Sequence, residues 1–228
     1  MTDYTLALEG STYAGSVALL RGRSVIAERT LPASGTPSRD GREERVLPSV
    51  VECLDEARVH VNEINRVICG AGPGSFTSLR IAGSVAKGIA VGIGCPMHAV
   101  SSLLLSVASA SNPVENRLYL SVLPAMRDEW FAMLVECENG DSIVQRGGIT
   151  IVGGRELAQA AAAEGASLLG PGQTVQATPH ARGVARLLDQ VVSAGPVAIE
   201  TWEPDYGRLA EAQVRWELAH GKALGVGA

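Results

Sequence analysis

The chain has 228 residues, of which 46% are apolar and only 4% aromatic, and carries a net charge of −5 at neutral pH. That length suits one large domain or two small ones, with a core built from Val, Leu, Ile and Ala. Mild acidity without a Lys/Arg cluster excludes a chain that grips nucleic acid on its own, because such domains carry a basic stripe or patch.

In chain order, the first thirty residues predict a three-stranded meander. YTLALE, SVALL and SVIAERT read as strands, joined by the turns GSTYAG and RGR. Residues 32–41, PASGTPSRDG, form a polar loop. The period then changes over 42–58. Val46, Leu47, Val50, Val51 and Leu54 recur at three and four and draw an apolar stripe along a helix. Glu43 and Glu44 fall in its first turn, where the helix dipole favours negative charge. RVICG (66–70) is a short strand that runs into GAGPGSFTSLR (70–80), and a helix follows over 77–91. CPMHAV (95–100) reads as a strand and SSLLLSVASA (101–110) as a helix. ASNPVENR (110–117) is the expected boundary between a domain at 1–110 and a domain at 111–228. Beyond it LYLSVL, EWFAMLVEC, SIVQRGGITIV and SLLG read as strands. RELAQAAAAEG, ARGVARLLDQVVSAG and GRLAEAQVRWELAHG read as helices. No short tandem repeat stands out.

Cys53, Cys69, Cys95 and Cys137 make no Cys-x-x-Cys pair and read as isolated, reduced core thiols. The N-terminus lacks the pattern of a signal peptide, and no run suggests the ~18 apolar residues of a membrane span. The expectation is a soluble, cytoplasmic protein with no membrane association.

The glycine-rich stretch at 70–80 invites a phosphate-binding reading. A P-loop needs a lysine directly after its last glycine, and the next lysine here is Lys87. A dinucleotide fingerprint needs a third glycine where Ser75 stands, and Pro73 removes a backbone donor. Two readings stay open: a tight strand-to-helix turn, or an anion site at a helix start. Glu9, Ser11, Gly72, Gly74 and Ser75 are the candidate anion or nucleotide contacts. Glu9 could equally cap its own turn. In the following helix, Ala82, Ala86 and Ala90 form one small-residue row and Ser84, Gly88 and Gly92 a second, which suits close helix packing. Ser84 and Lys87 match Ser-x-x-Lys, but no second signature of an acyl-transfer enzyme accompanies them. His60, His98, His180 and His220 are far apart, and no metal site is expected.

GPGSFTSLRIAGSVAKGIA strongly resembles the TsaB family, also called YeaZ, whose members typically read GPGSFTGLRIGLATAKGLA here. LALEGSTYAGSVALL, REERVLPSVVECL and EPDYGRLAEAQVRWE resemble the family's opening strands, first helix and C-terminal segment. Residues 111–195 are matched only loosely. The resemblance implies an α/β, actin/Hsp70-like (ASKHA, ribonuclease H-like) fold in two lobes. It implies a non-catalytic partner of TsaD that acts with the ATPase TsaE. Together they move a threonylcarbamoyl group to the adenosine next to the anticodon of tRNA. The metal and catalytic residues would belong to TsaD, no cofactor is implied for this chain, and tRNA would be met only through the complex. The helices 42–58 and 77–91 would form the partner interface through Val46, Leu47, Val50, Val51, Leu54, Ala82, Val85, Ala86 and Ile89. The same face would serve a homodimer when TsaD is absent. Glu9-Gly10-Ser11 where Asp-Thr-Ser is usual, Arg42 for a histidine and Ser78 for a glycine are departures from the family pattern. An actin-like ATP-binding enzyme and a peptidase are the alternatives.

Overall fold

A computed structural model describes residues 3–31, 45–111, 117–138 and 142–207. The polar loop at 32–41, Arg42, the first-turn Glu43 and Glu44, residues 112–116 of the expected boundary, and all but Gly207 of the expected last helix GRLAEAQVRWELAHG lie outside the described residues.

Strands β1 (Tyr4–Glu9), β2 (Ser16–Arg21) and β3 (Ser24–Thr30) form the expected antiparallel meander. Helix α1 (Val46–Ala57) follows, then β4 (Ile64–Gly70), helix α2 (Phe76–Ile93), β5 (Met97–Val100) and helix α3 (Ser102–Ser109). β4 and β5 add in parallel beside β1, giving the order β3-β2-β1-β4-β5. The second half contains β6 (Arg117–Pro124), β7 (Glu129–Glu138), β8 (Ser142–Gly153), α4 (Leu157–Ala163), β9 (Ser167–Gly170), β10 (Val175–Gln176) and α5 (Val184–Ser193). Its sheet runs β10-β9-β6-β7-β8, again an antiparallel meander extended by two parallel strands. The two sheets therefore share one topology, a repeat with no trace as a sequence repeat. This is an α/β fold of the actin/Hsp70-like, ribonuclease H-like class in two lobes.

Strand alternation distributes the core. Leu6, Leu8, Val17, Leu19, Val67 and Cys69 point to one face of the first sheet, under α1 and α2. Ala7, Ala18, Leu20 and Ile68 point to the other, where they meet α3, α5 and the inner face of the second sheet. α3 is buried along its whole length, which explains why its sequence is apolar on every side. The outer face of the second sheet is covered by the short α4 through Leu157 and Ala161. Each fully buried Leu contributes about 1.5–3 kcal/mol, so these layers carry most of the stabilisation.

α2 corrects one sequence expectation. It has 18 residues and is apolar enough, by length and composition, to cross a membrane. Here it instead lays Leu79, Ala82, Ala86 and Ala90 on the first sheet. After α5 the chain runs back over the first lobe, and Val197, Ile199 and Trp202 join the layer beneath α2.

Candidate functional site

β1 ends at Glu9, β4 ends at Gly70 and α3 begins at Ser102, and these three ends meet in one buried cluster. Glu9 Oε1 accepts the Ser11 N–H at 2.5 Å, and Oε2 accepts the Ser102 hydroxyl at 3.0 Å. Ser102 Oγ in turn accepts the Gly72 N–H at 3.1 Å, while the Ser102 N–H donates to Gly72 O at 2.8 Å. Gly70 leaves the room that Glu9 fills, because a Cβ there would overlap Glu9 Oε2. Burial pushes the Glu9 carboxyl above the usual carboxylate range, and its hydrogen bonds to Ser11 and Ser102 offset only part of that shift. With 1% of its surface exposed and both oxygens engaged, Glu9 pins the loop rather than presenting a carboxylate to a ligand.

The candidate anion contacts do gather in space. Ser75 N–H donates to Ser11 O at 2.7 Å, and Gly74 lies so close to Ser11 that a Cβ would overlap its carbonyl. Gly72 has φ +90°, a conformation that favours glycine, and is pressed against the Asp205 carbonyl. The Gly72–Pro73 peptide is cis. Ser75 heads α2 without a side-chain cap, and its hydroxyl pairs with Ser78 Oγ at 3.0 Å. The Ser11 hydroxyl is buried and makes no hydrogen bond. Gly10 and Gly70, from the two turns that the sequence marks, belong to this cluster, and so does Ser102, which no sequence spacing singles out. A Cβ on Gly10 would come within 2.7 Å of Ser78 O.

The outer helical face needs a larger correction. Val46, Val50 and Leu54 are buried at 8%, 2% and 8% exposure, and Ala82 and Ala86 at 0%. These five side chains hold α1 and α2 on the chain's own sheet, so they do not face outward. An apolar stripe at three-and-four spacing marks the side a helix buries, and here that side is spent internally. Val85 and Ile89 are half-buried. The large apolar residues exposed on these helices are Leu47 and Val51 on α1, at 47% and 50%, and Phe76 and Val91 on α2, at 41% and 66%. Ser84, Gly88 and Gly92 are exposed beside them, and Gly88 and Gly92 have no atom within 4 Å of where a Cβ would stand. Lys87 places its ammonium 5.8 Å from the centre of the Trp202 ring, and Ser84 faces outward.

The cysteines are free thiols; burial lifts Cys53 to about 11 and Cys69 higher still, so neither is a reactive thiolate. Among the described residues no three His, Cys, Asp or Glu side chains gather as metal ligands.

A family model for TsaD, tRNA N6-adenosine threonylcarbamoyltransferase, matches residues 38–133, the stretch that contains α1, the glycine-rich loop, α2 and α3. The tRNA threonylcarbamoyladenosine biosynthesis protein TsaB of Bacillus subtilis (strain 168) is 30% identical over 135 residues, 59% of this chain and 56% of its own length. TsaB of Escherichia coli (strain K12) is 34% identical over 137 residues, with the same shares. The solved structure of YeaZ from Pseudomonas aeruginosa matches with a TM-score of 0.70 at 25% identity, over 90% of this chain and 99% of that one. Over these stretches this chain is similar to the TsaB (YeaZ) family. It spans about half the length of the curated TsaB relatives it matches. Those relatives are bacterial proteins named for tRNA threonylcarbamoyladenosine biosynthesis. In this chain the glycine-rich loop serves packing: it is tied to β1, α3 and the segment around Asp205.

Proposed function

We propose that this chain serves tRNA threonylcarbamoyladenosine biosynthesis as a non-catalytic subunit. It binds a TsaD homologue and supports threonylcarbamoyl transfer to the adenosine next to the anticodon. The observation that carries the reading is the outer face of α1 and α2. Large apolar side chains stay exposed there beside small residues that leave space for a second helical surface. Leu47, Val51, Val85, Ile89 and Val91 line the interface on this reading, with Ser84, Gly88 and Gly92 at the closest approach. Burial of Glu9 at the loop, with both its oxygens engaged internally, favours a subunit that leaves catalysis to its partner. A TsaE homologue and tRNA join through the complex, in the cytoplasm, and a homodimer forms through the same face when TsaD is absent. The division near residue 110 into a partner-bearing lobe and a second lobe is part of this proposal. The test is co-expression with the TsaD homologue of the same organism, with tRNA nucleosides analysed after depletion of this chain. A complex that fails to co-purify, together with unchanged modification, overturns the reading.

One observation favours a second reading. The buried Ser11 hydroxyl, without a hydrogen bond beside Gly74 and Ser75, suits an actin-like ATP-binding enzyme. Calorimetry of the isolated chain with ATP and Mg²⁺ decides: tight binding supports that enzyme, and no heat removes it.

A further inference from the structure

After α5 the chain does not end its path in the second lobe. Gly195 O lies 3.0 Å from His98 Nδ1, and Val197 N–H donates to Met97 O at 2.8 Å, so the segment is stitched to β5. It then climbs the flank of α2. The Trp202 ring reaches Gly83, where a Cβ would stand 3.3 Å from it, and Pro204 lies 3.6 Å from the same point. This explains a glycine in mid-helix that otherwise costs about 1 kcal/mol relative to alanine. Lys87 stacks its ammonium over the outer side of the Trp202 system. Asp205 N–H donates to Ala71 O at 2.7 Å, and the Asp205 carbonyl abuts Gly72. Tyr206 packs on Phe76 at 4.5 Å between ring centres, with Arg80 5.3 Å from the Phe76 ring on α2. Gly207, with φ +66°, lies against the ring of Phe131 on β7 of the second sheet.

We infer that residues 195–207 are a releasable strap that clamps the loop at Ala71–Ser75 and ties it to the second lobe, so that the loop opens only when the strap lifts. What the strap presses on is buried, including Gly72 and Gly83, whereas its own anchors Trp202 and Tyr206 are half-exposed. It has almost no regular structure and is held by few backbone hydrogen bonds, the physical signature of a segment that opens below the free energy of global unfolding. The last residues of the strap touch both lobes, Tyr206 at the start of α2 and Gly207 at Phe131 of β7. Lifting it therefore loosens the loop that launches α2 and frees the two lobes at one stroke.

Hydrogen–deuterium exchange on the full chain tests this. In the unaltered protein under mild denaturant, the amides of Val197, Asp205 and Ser75 are expected to open as one unit, earlier than those of β2. Trp202→Ala is expected to speed exchange at all three by about tenfold or more and to leave β2 unchanged. Tyr206→Ala, at the anchor that packs on Phe76 and not against the first lobe's core cluster, is expected to act in the same direction and more weakly. Faster exchange confined to 195–207, with Ser75 unchanged, overturns the coupling. Ser75 opening only with global unfolding in the unaltered chain overturns it without any variant.

Discussion

The two lobes are built on one plan and dressed differently. In the first, the fourth and fifth strands are joined by the 18-residue α2; in the second, the corresponding β9 and β10 are joined by a turn over residues 171–174. In the first lobe, α1, α2 and the returning segment cover the outer sheet face. In the second, α4 alone, at seven residues, covers it among the described residues. The sheets hold the fold, so the difference lies in what each outer face leaves over. The first lobe has a broad helical layer with apolar side chains to spare, and the second has a thin one.

That contrast can be broken first at α1, where neighbours in sequence have opposite fates. Val50→Asp puts an unpaired charge under the helix and is expected to cost about 3–5 kcal/mol, read as loss of the cooperative melting transition. Val51→Asp, one residue on and half exposed, is expected to change stability by no more than about 0.5 kcal/mol while abolishing co-purification with a TsaD homologue. Equal damage to stability from both would show that the outer surface of α1 is not a surplus. The thin layer of the second lobe comes next. Leu157→Ala beneath α4 is expected to cost about 2–3 kcal/mol in chemical denaturation and to leave that co-purification intact.

The seam between the lobes responds to pH in two directions. His180 sits there, with Nε2 3.1 Å from Thr30 Oγ1 of β3 and its backbone N–H donating to Ser109 of α3. Nδ1 accepts the Arg182 N–H, which assigns the proton to Nε2. Burial, helped by the Arg182 guanidinium and opposed by Glu28, holds its pKa below 6.5. Its contribution is complete above pH 6.5 and is lost as the pH falls from there through the lower native value. Glu9 runs the other way. Its raised native pKa means a contribution that is complete below about 4.5 and lost as the pH rises through the native value. Melting temperatures across pH are therefore expected to fall off less steeply on the acid side in His180→Asn. In Glu9→Gln they are expected to fall off less steeply toward neutral pH. An unchanged profile in either variant contradicts that assignment.

The smallest effect concerns α3 between the sheets. The Ser106 hydroxyl is buried there without a hydrogen bond, so Ser106→Ala is expected to raise stability by about 1 kcal/mol. A loss instead would mean that the hydroxyl is satisfied in solution.

Much of this architecture could be read from residue patterns. Leu6 and Leu8 alternate with Ala7 because β1 divides two layers, and the meander follows from that. α2 announced itself through its loop and its small-residue rows. The shared topology of the lobes stayed hidden because strand order leaves no mark in a sequence when the covering helices differ. At α1 the stripe marked the side that the helix buries, with Val46, Val50 and Leu54 against the chain's own sheet: periodicity reports burial and is silent on whether the burying partner is the same chain. The Glu9 cluster was half legible. The turn from Glu9 to Ser11 is local, whereas Ser102 lies 93 residues away and only the parallel pairing of β1, β4 and β5 brings it in.

The missing counterpart of α2 gives the molecule a front without a matching back. Head-to-tail growth needs complementary patches on opposite sides of each unit, as in a filament. On the proposed reading, a surplus helical surface carried by one lobe is capped by a single neighbour on that face, whether a copy or a cousin, and growth through that face stops there.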